Sequence, residues 1–380
     1  MTYHGLTWDH PRGYDALAEA ARRVNAGRDQ ALIHWDKQPL EGFESAAIAN
    51  LAAAHDLIVL DHPHIGEAVA EQCLIPLEDL YPPEQIAAWE AESVGPSFAS
   101  YRWAGKSWAL PLDVATQVVA RRSDRIAGAP ESWDEIEGIS SRLPTALSIG
   151  GPHAFLTLIS MAAGFGAVAG GDELLPDNVA LSALSRMQRL ARAAPDGSDT
   201  LNPIALLETM ARSDNIALVP LVFGYVTYAR AGYAPHVVSF SDTPRKEHGF
   251  GGVLGGTGIG FSRRGTPSKE LLDHVAWLMK VGTQTQFFPK FGGQPSARTA
   301  WRDASLNADW DDFYISTVST ADRALLRPRF DGYVGFQNLA SARIRQALLD
   351  REDEQKTLSA LRAQWRDARL AARGEIEAKG

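Results

Sequence analysis

A single cysteine, Cys73, stands in 380 residues, so the chain can form no internal disulfide and no thiolate cluster for zinc or iron–sulfur. Its setting, Glu71-Gln72-Cys73-Leu74-Ile75-Pro76, reads as a helix end entering a buried turn, which makes the thiol a packed small hydrophobe rather than a nucleophile. No apolar run reaches the ~20 residues of a membrane-spanning helix. Positive charge is also short: 37 Lys and Arg, scattered along the chain, face 46 Asp and Glu for a net charge of -9. That balance argues against nucleic acid as a partner. Met1–Trp8 hold no basic stretch followed by an apolar core, so no export signal is read here. Two locations follow: periplasmic, with the signal lying outside this sequence, or cytoplasmic.

What is present describes a folded two-lobed chain. Hydrophobic residues make up 45% and charged residues 22%, close to the globular average, and the length suits two lobes with separate cores. Residues 3–8 read as a strand, and Tyr14, Leu17, Ala18, Ala21 and Val24 then recur at helical spacing. Ala31–Trp35 and Leu57–Leu60 read as further strands flanking a helical stretch about 43–54. This alternation predicts a parallel sheet covered by helices. Residues 103–111 read as a hairpin leading into a strand at 114–120, and 147–150 and 216–222 as strands of a second α/β unit with helices near 153–163, 178–193 and 203–212. The tail, about 353–378, is a charged helix with an apolar stripe of Leu358, Leu361 and Trp365.

In such sheets ligands lie beyond the carboxyl ends of the strands, which directs attention to Trp8-Asp9-His10, Trp35-Asp36-Lys37 and Asp61-His62-Pro63-His64. Carboxylates beside indole faces suit a hydroxyl-rich ligand and also a cationic one. The His62/His64 pair is the most metal-like feature. The later strand exits, Gly150-Gly151 and Phe223-Gly224-Tyr225, bring no further His or Asp, so no metal and no cofactor are expected. The glycine run Gly251–Gly260 lacks the spacing of a dinucleotide loop and the Lys of a phosphate loop; it reads as a strand that packs closely. No G-x-S-x-G elbow is present, and no catalytic residue is assigned.

The order of parts resembles the extracellular solute-binding proteins of family 1, the maltose-type binders. The segments that carry it are the first strand-helix unit, Ala104-Gly105-Lys106-Ser107-Trp108-Ala109-Leu110-Pro111, Gly251–Ser262 and Phe291-Gly292-Gly293-Gln294-Pro295-Ser296-Ala297-Arg298, with Arg327–Tyr333 in support. The resemblance implies an α/β, two-lobed periplasmic-binding-protein-like fold of type II with discontinuous lobes around a hinge: 1–112 plus 248–302, and 113–247 plus 303–380. It further implies a cleft closing over ligand, with contacts from Trp8, Asp9, His10, Asp61 and His62, and from Asp113, Gly151, Phe223, Gly224, Tyr225 and Gln294. Trp35 and His64 join this set from their positions at strand exits.

The expected function is the substrate-binding protein of an ABC importer: a monomer with one small polar organic ligand, of the carbohydrate or polyol class, and with the transporter's membrane subunits as partners. The rival reading is a cytoplasmic enzyme on the same fold that uses Asp9, Asp61 and His62 for acid–base or metal chemistry.

Overall fold

The computed structural model describes residues 2–244 and 251–379. Among them the strands run, in chain order, β1 (Tyr3–Trp8), β2 (Ile33–Gln38), β3 (Leu57–Leu60), β4 (Leu74–Ile75), β5 (Arg102–Trp103), β6 (Lys106–Ser107), β7 (Leu110–Arg122), β8 (Leu218–Phe223), β9 (Val238–Ser241) and β10 (Leu254–Ser262). The chain divides into two discontinuous units. Unit 1 comprises Met1–Val114, Gly255–Leu306 and Arg329–Asp331, and unit 2 comprises Ala115–Leu254, Asn307–Pro328 and Gly332–Gly380. Both β7 and β10 contribute residues to each unit. The expected return point at 248 lies outside the described residues. Residues 303–306 and the tripeptide Arg329–Asp331 group with unit 1, where the sequence reading had run the second lobe unbroken from 303.

Unit 1 is built on parallel pairing of β1 with β2 and β3 (Gly5 opposite Trp35, Leu6 opposite Ile58). The sheet is mixed rather than parallel, because β10 enters antiparallel to β3, with Gly258 opposite Leu60. A strand that arrives from the other unit is not bound to the right-handed crossover that keeps β-α-β strands parallel. All four residues of β3 are buried, as its unbroken apolar run requires. Helix α1 (Pro11–Asn25) begins where His10 caps it and Pro11 occupies its first turn, and it buries Ala16, Leu17, Ala20 and Ala21. Those positions form the apolar face of a helix lying against the sheet. The helical stretch expected at 43–54 is two short helices, Leu40–Ser45 and Ile48–Ala54, with Ala46 and Ala47 extended between them.

In unit 2, β7 pairs antiparallel with β8 and β9, and a bulge interrupts the β8 register between Val118 and Ala120. The expected strand at 147–150 does not form; the chain makes one bridge just before it, Thr145 to Leu218. The helix His153–Gly164 is buried at every position and packs on the helices Tyr333–Asp350 and Asp177–Arg192. The final helix, Glu354–Lys379, adds its predicted stripe: Leu358 and Leu361 are fully buried and Trp365 nearly so. Each leucine contributes roughly 1.5–3 kcal/mol by leaving water.

Candidate functional site

The parallel register of β1 and β3 brings Trp8-Asp9-His10 and Asp61-His62 to one edge of the unit 1 sheet. Trp8 is 3% exposed. His10 lies flat against it, ring centroids 5.0 Å apart and planes 7° from parallel. As N-cap of α1, His10 accepts the backbone N–H of Arg12 at Nδ1, 3.1 Å. An imidazole accepting at Nδ1 carries its proton at Nε2, so the ring is a neutral donor. Burial, then the Arg12 charge, lowers its pKa to about 4, with Asp9 opposing.

Arg12 was not anticipated as a site residue. It sits in the first turn of a helix, where the backbone dipole disfavours a cation, and it is 5% exposed. Its guanidinium grips Asp113 bidentately: Nε donates to Oδ2 at 2.9 Å and Nη2 donates to Oδ1. Asp113 Oδ2 also accepts the backbone N–H of Gln294 at 3.1 Å, and Gln294 Nε2 donates to the Val114 carbonyl at 2.9 Å. A basic residue one place after a His-Pro helix start was the available signal, since such a cation needs a carboxylate partner.

The remaining unit 1 candidates take different roles. Asp9 is exposed and pairs with Lys37 at 2.7 Å. Asp61 caps the turn His62–His64, its Oδ1 accepting the His62 N–H at 2.8 Å. His62, 1% exposed, meets the edge of Tyr101, ring centroids 6.4 Å apart, while Tyr101 donates its hydroxyl to the Leu60 carbonyl at 3.2 Å. His64 instead approaches Glu67, 3.7 Å away. Among the described residues no group of three or more His, Cys, Asp or Glu side chains is placed to hold a metal ion. Trp35 requires a correction. The strand expected at 31–35 runs from Ile33 to Gln38, so Trp35 lies mid-strand opposite Gly5 rather than at an exit. A Cβ on Gly5 would come within 2.6 Å of its ring, which explains the glycine there.

The glycine run forms β10 and closes on β7. Gly256 has φ +97°, and a Cβ there would come within 2.2 Å of the Asp113 carbonyl oxygen, so only glycine fits. In unit 2, Phe223, Gly224 and Tyr225 follow one another at the end of β8, and the Gly224 N–H donates to the Thr116 carbonyl at 3.2 Å. Gly151, at φ +55°, turns the chain into the helix that His153 begins. His153 lies edge-on to Phe223, ring centroids 5.9 Å apart, so the 151 turn and the β8 exit are neighbours within this unit. Its place directly after Gly150-Gly151-Pro152 was a sequence signal that went unused. The Cys73 thiol is half-buried and its pKa is raised to about 11, chiefly by burial, which leaves it a poor nucleophile at neutral pH.

Two imidazoles, half-buried His10 and buried His274, set an acid limit. His274, like His10, is lowered to about 4, by burial and then by Arg28. Both folded values lie below the ordinary 6.5, so on acidification the unfolded chain takes up these protons first. The stability each contributes is complete above about pH 6.5 and is lost as the pH falls toward 4, to a ceiling of about 3 kcal/mol apiece. His10→Gln and His274→Gln are expected to flatten the slope of unfolding free energy against pH over that window. Equal slopes for both variants and the parent, measured by denaturant titration, would contradict this.

No protein-family model and no curated protein sequence matches the chain. Solved structures do. A solute-binding protein of an ABC transporter from Agrobacterium radiobacter, in complex with ribitol, is 17% identical, with 97% of this chain and 98% of that chain covered at a TM-score of 0.80. One from Agrobacterium vitis, with bound D-mannitol, is 15% identical, with 97% and 99% covered at 0.77. A sugar-binding protein from Xanthomonas citri is 17% identical over 100% of both chains at 0.76. The chain therefore has the α/β, two-lobed type II fold of the ABC-transporter solute-binding proteins.

Proposed function

We propose that the chain is the solute-binding component of an ABC importer, with units 1 and 2 as its lobes, and that its ligand is one small uncharged polyhydroxylated molecule, a sugar or polyol. The observation that carries the ligand class is the internal compensation of charge at the strand exits of unit 1. Lys37 is matched by Asp9 and Arg12 by Asp113, and His10 is neutral. A phosphate or carboxylate ligand would need a cation already committed to a carboxylate. The groups that stand at these exits, indole and imidazole rings and the carboxylate of Asp61, are of the kind that recognise hydroxyls and the apolar face of a sugar ring. The resemblance to structures holding ribitol and D-mannitol supports the same class.

The proposed unit 1 contacts are His10, Asp9, Asp61 and His62, with Trp8 behind His10. Phe223, Gly224, Tyr225 and Gly151 are their counterparts in unit 2. Asp113 and Gln294 act from behind, through Arg12 and the turn at 294. The protein acts by binding alone, as a monomer on the periplasmic side of the membrane, and delivers its ligand to the transporter's membrane subunits.

Thermal-shift measurement followed by calorimetry tests this, with ribitol, D-mannitol and maltose set against choline, citrate and glycerol 3-phosphate. A cognate ligand at a hundred times its Kd stabilises the folded chain by about 2.7 kcal/mol. At least one polyol or sugar is expected to do so; stabilisation by the charged compounds alone would overturn the ligand class.

A further inference from the structure

We propose that Arg12 is the positioning residue of the ligand site on unit 1, anchoring the Trp8–His10 ring stack to Asp113 so that the imidazole is presented to ligand in one fixed orientation. The proposal rests on the reading of unit 1 as a ligand-binding lobe and adds to it the residue that sets the geometry.

Three attachments converge on Arg12. Its backbone N–H holds His10 Nδ1, which fixes both the tilt and the tautomer of the ring. Its guanidinium carbon lies 5.9 Å from the centre of the Trp8 ring, within the range of a cation–π contact. Its Nε and Nη2 reach the carboxylate of Asp113, 101 positions away, itself held by the Gln294 N–H. The peptide that carries the N–H for His10 is therefore located by a buried two-point contact, and the short residue spacing His10, Pro11, Arg12 leaves the imidazole little freedom. Gly13 completes the seat, because any Cβ there would fall 2.1 Å from Trp8 Nε1. A flexible lysine at position 12 would keep the charge and lose the fork.

The test uses the uncharged pair Arg12→Gln with Asp113→Asn, which removes both charges and so avoids a lone buried ion, together with Arg12→Lys alone. The charged groups around His10 include Asp9, with its partner Lys37, and Arg12, with its partner Asp113. Proton NMR reads the His10 ring directly. In the parent its ring protons are expected to be shifted upfield by the Trp8 face, and its titration to lie well below the ordinary 6.5, because burial and then the Arg12 charge lower it. In the double variant the upfield shift is expected to collapse and the titration to rise toward 6.5, while affinity for the best polyol falls at least tenfold with the order of ligands unchanged. Arg12→Lys is expected to lose part of the upfield shift, to keep the low titration and to weaken binding by a smaller factor.

A folded double variant that keeps the upfield shift, or that binds with parental affinity, overturns the proposal. If the double variant fails to fold, an unaltered ring shift in Arg12→Lys overturns it equally. Absence of any sugar or polyol binding by the parent protein would instead refute the ligand reading. The ring shift and titration would still judge the role of Arg12.

Discussion

Replacing Gly66 by alanine is expected to lower stability by about 1–3 kcal/mol, against the general trend for glycine inside a helix, where alanine gains about 1 kcal/mol. Gly66 belongs to the helix Ile65–Ala70, directly after the Asp61–His64 turn. A Cβ built on it would fall 1.6 Å from the carbonyl oxygen of Arg329 and 2.8 Å from the carbonyl carbon of Phe330. Both obstacles are backbone, so no side-chain rotation relieves them.

The tripeptide Arg329–Asp331 would have to leave its seat, and Arg329 would lose its anchor. Its Nη1 donates to the carbonyls of Ala99 at 2.7 Å and Ser100 at 3.0 Å, and its guanidinium lies 5.7 Å from the centre of the Trp103 ring. Thermal unfolding of Gly66→Ala beside Arg329→Ala checks the account. Both are expected to lower the midpoint, and the double variant should lose less than the sum, because the two changes empty the same seat. A midpoint raised in Gly66→Ala would show that the tripeptide does not pack there.

The second large effect concerns the buried ion pair. Asp113→Leu alone is expected to cost about 3–5 kcal/mol, since it leaves the guanidinium of Arg12 in a site 5% exposed without its carboxylate. The Gln294 N–H loses its acceptor as well. Arg12→Met combined with Asp113→Leu is expected to recover most of that loss, because two apolar side chains of similar bulk remove the desolvation penalty together with the attraction. Denaturant titration of the parent, both single variants and the double variant gives the coupling free energy directly. A double variant no more stable than Asp113→Leu would mean that the pair is not the dominant interaction of either residue. Recovered stability without recovered ligand affinity is the further expectation, since the apolar pair restores burial but cannot orient His10.

Much of the element structure was legible in the residues because it depends on neighbours a few positions apart. The Pro11 start and the apolar spacing of α1 marked a helix, and the Leu57–Leu60 run marked a fully covered strand. Where the reading slipped, tertiary pairing had overridden a local signal. The apolar stretch 147–150 has strand composition but forms no strand; the bridge to Leu218 is made by Thr145, just before it. Trp35 looked like a strand end until β2 extended to Gln38 along β1. The direction of β10 was likewise invisible, because nothing local distinguishes a strand that arrives from the other unit from one that follows a crossover helix.

The same division runs through the candidate site. The sequence by itself determined which chemical groups stand at the strand exits, since Trp8, Asp9, His10, Asp61 and His62 follow from where apolar runs stop. It also determined that one cysteine leaves no internal disulfide and no thiolate cluster. Only the tertiary structure decided which groups are already spoken for. Asp9 is matched with Lys37, Asp113 with Arg12, and His10 is stacked on Trp8. Arg12 and Asp113 lie 101 positions apart, and no local periodicity encodes such a pairing. It exists because the chain folds the start of β7 and the 294 turn back against the start of α1, where the buried guanidinium of Arg12 meets the buried carboxylate of Asp113.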